Sequence, residues 1–300
     1  MLNVYEQIDS NKRKSWLVIG FFVAFVTAFG YFFTYLYNYD YSFLVFALIV
    51  SSIGSIISYY NSDTIALTLA GARPATHKTH PQYVSMVENL SHVAQIPMPK
   101  THVIPSAALN AFATGRDPAH GAIAVTQGLL DTLSRTEAEG VIAHELSHIK
   151  NYDTRLMTIV AILVGSIAMI LNWSWRVSWH KGGSRDNDRG GNAIIMVIGL
   201  IFIVLAPIIA QLIQLAISRR REFYADASGV MITRQPSGLI GALKKIAQYE
   251  HTHQLETANT ATAHLYIDDP VTTETHGSWL AKLFSTHPPI KERIAVLEGK

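Results

Sequence analysis

The string His144-Glu145-Leu146-Ser147-His148 holds the residues of this chain that are best suited to chemistry. Residues four apart lie on one face of a helix, so the two imidazoles can bind one metal ion. Glu145 follows the first imidazole, where its carboxylate can take a proton from a water molecule that a zinc ion has acidified. The alternative interpretation is two surface histidines beside an exposed glutamate, which predicts no third ligand. The string therefore indicates a hydrolytic zinc site if a third ligand exists.

Glu222 is the candidate for that third ligand. Zinc in hydrolytic sites often takes two histidines and one carboxylate, and its fourth position stays open. Asp226 lies four residues after Glu222, on the same helical face, and can accept a hydrogen bond from the second nitrogen of a ligand histidine. Taken alone, Glu-x-x-x-Asp after an arginine run is typical of a solvated helix face. Its position relative to the apolar segments favours the metal site.

Four apolar segments of about 20 residues each predict transmembrane helices. They cover residues 16–36, 42–60, 156–175 and 193–217. His148 precedes the third segment and Glu222 follows the fourth, so an antiparallel hairpin would bring the candidate ligands to one membrane boundary. The alternative for the third and fourth segments is a hairpin buried in a soluble domain, for which they are unusually long and apolar.

The composition agrees with a membrane protein. Charged residues make up 15% of the chain, against about 25% in an average soluble domain, and 49% of the residues are hydrophobic. The net charge of +2 is too small to attract nucleic acid, so we expect no nucleic-acid partner. Cysteine is absent, which excludes thiolate metal sites and a cysteine nucleophile. A metal must therefore be held by histidine, aspartate or glutamate.

Basic residues predict the orientation in the membrane. Lys12, Arg13 and Lys14 precede the first segment, and an arginine run at 219–221 follows the fourth, which places both on the cytoplasmic side. The loop 176–192 is also basic, although this topology puts it outside. We therefore expect a multi-pass protein whose site faces the cytoplasm.

The polar stretches are expected to form one discontinuous α+β domain. Periodicity predicts helices over residues 77–93 and 136–151, with Thr136 as the N-cap of the second, and strands over 100–104, 110–114 and 122–126. The chain then divides into an N-terminal transmembrane hairpin (1–60), a first catalytic part (61–154), a second hairpin (155–218) and a second catalytic part (219–300). We expect a mobile loop in the last part.

Four strings together resemble the HtpX family of membrane zinc metalloproteases, in the gluzincin group that also includes the CAAX prenyl proteases. They are Asn110-Ala-Phe-Ala113, His144-Glu-Leu-Ser-His148, Ser218-Arg219-x-Arg221-Glu222-Phe-x-Ala-Asp226 and Thr286-His287-Pro288-Pro289. The likeness covers essentially the whole chain. It implies an α-helical membrane protein with a mixed α+β zincin-like catalytic domain, whose small β-sheet has an edge strand at the cleft.

The resemblance also implies a role for each matching residue. His144, His148 and Glu222 would hold one zinc ion per chain, and Glu145 would be the general base. Around them, Asn110, Ala111, Phe112 and Ala113 would pair with an extended substrate, His287 would hold the substrate or the oxyanion, Asp226 would orient a ligand, and Arg219 or Arg221 would support the helix that carries Glu222.

The predicted function is that of a zinc-dependent endopeptidase in the bacterial cytoplasmic (inner) membrane, where it would cleave misfolded or damaged membrane proteins as quality control. The expected partners are unfolded or membrane-protein substrates and the lipid bilayer. One alternative is a processing protease for lipidated C-termini, although the CAAX prenyl proteases have more membrane segments. Another is a catalytically silent membrane scaffold, which would need a broken ligand set. The sequence leaves the oligomeric state open.

Overall fold

The computed structural model describes residues 4–37, 42–160, 219–249 and 289–299. In chain order its elements are α1 (Val4–Tyr37), α2 (Ser42–Tyr60), α3 (Ser62–Leu69), β1 (Arg73–Pro74), α4 (Pro81–Ala94), β2 (Lys100–Ile104), β3 (Ala111–Thr114), β4 (Ala122–Thr126), α5 (Gln127–Thr132), α6 (Arg135–Lys150), α7 (Arg219–Thr233), α8 (Pro236–Tyr249) and α9 (Ile290–Leu297). Residues 153–160 are also helical.

The predicted fold class, an α-helical membrane protein with about four transmembrane helices, is wrong. Within the described ranges, no helix has both the length and the apolar character that crossing a bilayer requires. The helix over the first predicted segment begins at Val4 instead of at residue 16, and its polar start packs against the chain through the buried Asn11. The predicted segments 156–175 and 193–217 lie mostly outside the described residues. The structure shows an α+β domain with a small sheet.

The described strands form a four-stranded sheet in the order β1-β2-β4-β3. β2 runs parallel to β4, with Lys100 opposite Ala122, whereas β1 and β3 pair antiparallel with their neighbours. The bounds of β2 and β4 confirm the strands predicted at 100–104 and 122–126. Among the described strands, β3 lies at one edge of the sheet, and all four of its residues are buried.

α6 lies at the centre of the domain because its apolar face packs against the sheet, α4 and α8. Val141, Ile142, Leu146 and Ile149 are fully buried. They form one hydrophobic cluster with side chains of one sheet face and of α4 and α8. The opposite face of the sheet, which includes Phe112, packs on α3. Burial of an aliphatic side chain of this size stabilises a fold by about 1.5–3 kcal/mol, so the core fixes α6 firmly.

The N-cap of α6 lies two residues before the predicted one, Thr136. Ser134 is the N-cap, and it forms a capping box with Glu137 in which each side chain accepts from the other residue's backbone N–H. The sequence contains two overlapping candidates for such a box, one beginning at Ser134 and one at Thr136. The first prevails because Ser134 has the extended backbone that an N-cap requires.

Candidate metal centre

The close approach of α6 and α7 brings the candidate ligands together. At Gly229 of α7, an added Cβ would lie 3.0 Å from the backbone nitrogen of His144. A side chain at this position would therefore push the two helices apart. Glu222 precedes Gly229 by about two helical turns, and the contact at Gly229 holds it beside the histidines of α6.

The three ligand atoms of His144, His148 and Glu222 all lie within 4.8 Å of one another. The two Nε2 atoms are 3.2 Å apart, and Glu222 Oε2 and Oε1 lie 3.5 and 3.6 Å from His144 Nε2 and His148 Nε2. Two nitrogens bound to one tetrahedral zinc ion are about 3.3 Å apart, given Zn–N bonds of about 2.0–2.1 Å. All three residues are buried. This donor set fits a zinc ion.

Asp226 and Arg293 lie behind His144. Asp226 Oδ1 is 2.9 Å from His144 Nδ1, so the Nδ1–H can donate to this carboxylate and leave the Nε2 lone pair directed at the site. The Arg293 guanidinium, fully buried on α9, donates to both oxygens of Asp226, from Nε at 2.9 Å and from Nη2 at 2.5 Å. Its Nη1 lies 4.0 Å from Glu222 Oε2. Arg293 Nη2 also lies 3.3 Å from His144 Nδ1. Arg293 thus contacts both Glu222 and His144 while it holds the Asp226 carboxylate.

Neighbouring charges and hydrogen bonds lower the pKa of Asp226 and raise the pKa of His144. Burial raises the pKa of Asp226, but the Arg293 charge and the hydrogen bonds outweigh it and lower that pKa to about 2. Burial and Arg293 lower the pKa of His144, but its bonds to Asp226 and Glu222 prevail and raise that pKa to about 9. Without a metal, His144 is therefore a cation held between carboxylates.

A second carboxylate, that of Asp153, lies behind His148. His148 Nδ1 is 3.1 Å from Asp153 Oδ2, which again leaves Nε2 for a metal. Arg221 Nε donates to Asp153 Oδ1 at 3.1 Å. Arg221, expected to support the helix that carries Glu222, thus bridges α7 to the partner of a histidine.

Glu145 is buried on α6, directly after the first ligand. In the described part of the chain, its carboxylate forms no hydrogen bond or ion pair. Its negative charge contributes to raising the pKa of Arg293, although Asp226 is the larger cause and burial opposes both. A buried carboxylate that follows a ligand histidine in the sequence, with no partner of its own among these residues, is suited to accept a proton.

The other residues singled out from the sequence have different surroundings. Ala111, Phe112 and Ala113 are buried in β3, and Asn110 precedes that strand with its backbone N–H bonded to Thr126 Oγ1 at 3.0 Å. Arg219 lies in the first turn of α7. His287 lies outside the described residues. The roles assigned to these residues by resemblance stay predictions.

Two residues of this site, Asp153 and Arg293, are not predicted by the sequence patterns. Asp153 follows His148 by five residues, across a turn, so no helical spacing connects the two. Arg293 lies far along the chain from His144. The one available signal was that Arg293 is a basic residue at a position where the pattern of apolar residues in α9 favours burial. That pattern does not show which residue Arg293 pairs with.

The raised pKa of His144 predicts that metal binding strengthens with pH. The proton that stabilises the metal-free site is fully bound below the unfolded value of 6.5, and it is lost as pH rises through about 9. Since metal and proton compete for the imidazole, the apparent zinc affinity should rise between pH 6.5 and pH 9. Competition titrations against a chelator of known pH dependence measure this. A constant affinity over that range would contradict it.

The chain is similar in sequence to a known peptidase family and to several known proteins. The model of peptidase family M48 matches residues 77–300. The chain is 43% identical over 290 residues to a protease HtpX homolog of Dictyoglomus turgidum, covering 97% of this chain and 92% of that protein. It is 43% identical over 297 residues to the homolog of Streptococcus uberis, covering 97% and 98%. With the homolog of Lactobacillus helveticus it shares 42% over 302 residues, covering 98% and 99%.

Proposed function

Because this chain belongs to peptidase family M48 and is a protease, we propose that it is an endopeptidase that uses a zinc ion held by His144, His148 and Glu222. The observation that carries the proposal is the meeting of three buried ligand atoms, from two helices, within 4.8 Å of one another. Glu145, which directly follows the first ligand, is buried as well. A solvated helix face would not bury these side chains together.

In this proposal Glu145 moves the proton. A bound zinc ion would polarise the scissile carbonyl and lower the pKa of a nearby water molecule. Glu145 takes the proton of the attacking water and returns it to the leaving amine. Asp226 and Asp153 each hold one imidazole in the tautomer that directs Nε2 at the site. The chain itself thus supplies the base and the orientation of the ligands.

We further propose that the substrates are misfolded or damaged proteins, membrane proteins among them. This part rests on the resemblance to the HtpX family, and it is supported by the similarity to proteases named as HtpX homologs over nearly the full chain. Strand pairing between substrate and residues 110–113 belongs to the same proposal. The location at the cytoplasmic membrane and the orientation of the site stay predictions of that resemblance.

The test is metal removal and replacement in the full chain. A chelator should abolish cleavage of an unfolded membrane protein, and one equivalent of zinc should restore it. Glu222→Gln should bind zinc more weakly and lose cleavage, whereas Glu292→Gln, on the exposed surface of α9, should behave as the wild type. Cleavage that persists in the chelated protein would reject the zinc mechanism. Faster cleavage of a prenylated peptide than of the unfolded protein would reject the substrate class.

A further inference from the structure

The turn after α6 brings Asp153 to the metal centre. α6 ends at Lys150 with Asn151 as its C-cap. Tyr152 then has a φ of 60°, in the left-handed region that is uncommon for residues with a side chain, and the chain is helical again from residue 153. This reversal directs the Asp153 carboxylate back to His148. A conformation of this kind persists only when its surroundings hold it.

The N-terminal helix α1 provides those surroundings. Asn11 is only 2% exposed, and its side-chain amide donates two hydrogen bonds, to Asp153 Oδ1 at 2.7 Å and to the Asn151 carbonyl at 3.1 Å. Both ends of the turn are thereby bound to one side chain. The Lys12 ammonium lies 4.4 Å from the centre of the Tyr152 ring, so the middle of the turn also contacts α1.

The Asp153 carboxylate therefore connects α1 to a metal ligand. It is fully buried and accepts from Asn11 and Arg221 through Oδ1, while Oδ2 faces His148 Nδ1. Carboxylates that hold a ligand histidine fix the tautomer and the direction of the ring, and their loss weakens metal binding. A residue that fixes the Asp153 carboxylate therefore influences metal binding indirectly, through the orientation of His148.

We propose that Asn11 is a positioning residue of the metal centre, and that α1 is therefore part of the zinc site. α1 precedes residues 77–300, the part of the chain that the M48 family model matches. A chain reduced to those residues would therefore lack this contact. The proposal rests on the proposed function in one respect, namely that the ion bound by His148 is zinc.

The test compares zinc affinity in full-length variants by competition with a chromophoric chelator. Asn11→Leu has a similar volume but no donor, and it should weaken zinc binding by about tenfold, the lower end of the effect of losing a partner of a ligand histidine. Thr27→Val is the matched control, because the Thr27 hydroxyl of the same helix donates to the carbonyl of Val23 in α1 itself. That control should keep the wild-type affinity.

A double-mutant cycle separates positioning from general loss of structure. If Asn11 acts through Asp153, Asn11→Leu should weaken zinc binding in the wild-type background and have no further effect when Asp153→Asn is present. The absorption spectrum of the cobalt-substituted protein should change in both single variants in the same direction. An equal loss in both backgrounds, or an unchanged affinity of Asn11→Leu, would overturn the proposal.

The result is also distinguishable from failure of the proposed function. A wild-type protein that binds zinc but cleaves no peptide would reject the peptidase mechanism, and the affinity comparison would still decide the role of Asn11. A wild-type protein that binds no zinc would reject both the peptidase mechanism and the proposed role of Asn11.

Discussion

Replacement of Glu145 by glutamine should lower peptide hydrolysis by about a hundred- to ten-thousand-fold, the usual contribution of a general acid–base group, with zinc binding nearly unchanged. The amide has almost the shape of the carboxylate, but it cannot accept the proton of the attacking water. Because the three ligand atoms belong to other residues, the ion should stay bound. Hydrolysis of an unfolded protein and zinc content per chain are the two measurements.

Glu139→Gln is the matched control, since Glu139 lies on the same helix and pairs with Arg135 near the surface. It should cleave at the wild-type rate. Wild-type hydrolysis by Glu145→Gln would remove this residue from the mechanism, and loss of zinc from that variant would show that Glu145 holds the site together instead.

Arg293→Met should destabilise the metal-free protein by about 3–5 kcal/mol, the cost of removing one partner from a buried ion pair. The guanidinium is fully buried and donates to both oxygens of Asp226. Without it, the carboxylates of Asp226 and Glu222 stay in the interior with less compensating charge. Urea unfolding in the presence of a chelator measures the loss.

Arg135→Met is the control for Arg293→Met, because the Arg135 side chain is 74% exposed in its pair with Glu139. Surface changes of this kind stay within about 0.5 kcal/mol of the wild type. Similar unfolding midpoints for the two variants would show that the buried pair contributes nothing to stability.

The wild type should also lose stability in acid, because the lowered pKa of Asp226 contributes stability above pH 3.8 that disappears as pH falls through about 2.

Local sequence patterns predicted the parts of this structure that depend on local physics. The strands at 100–104 and 122–126 follow from apolar, β-branched residues between turns, and their bounds agree with the structure. The histidines of α6 could be identified because a spacing of four fixes a common helical face. Glu222 required an additional argument about which helix ends meet, and the structure brings it to the histidines.

The remaining features depend on contacts between distant parts of the chain. Asn11 reaches Asp153 across 142 positions, and Arg293 reaches Asp226 across 67, and no periodicity encodes such pairs. The predicted membrane fold rested on the apolar composition and on windows of apolar residues. Such windows do not register that a helix like α1 begins with polar residues that pack against the domain.

The contact at Gly229 ties the geometry of the proposed metal site to the spacing of two helices. Because Glu222 comes from α7 and both imidazoles from α6, a gap of one methyl group between these helices would already separate the donors. A molecule in which these two helices have begun to separate would lose the proposed zinc ion while most of its helical content is intact. Damaged copies of this protease should therefore lose peptidase activity before they unfold far enough to cleave proteins without selectivity.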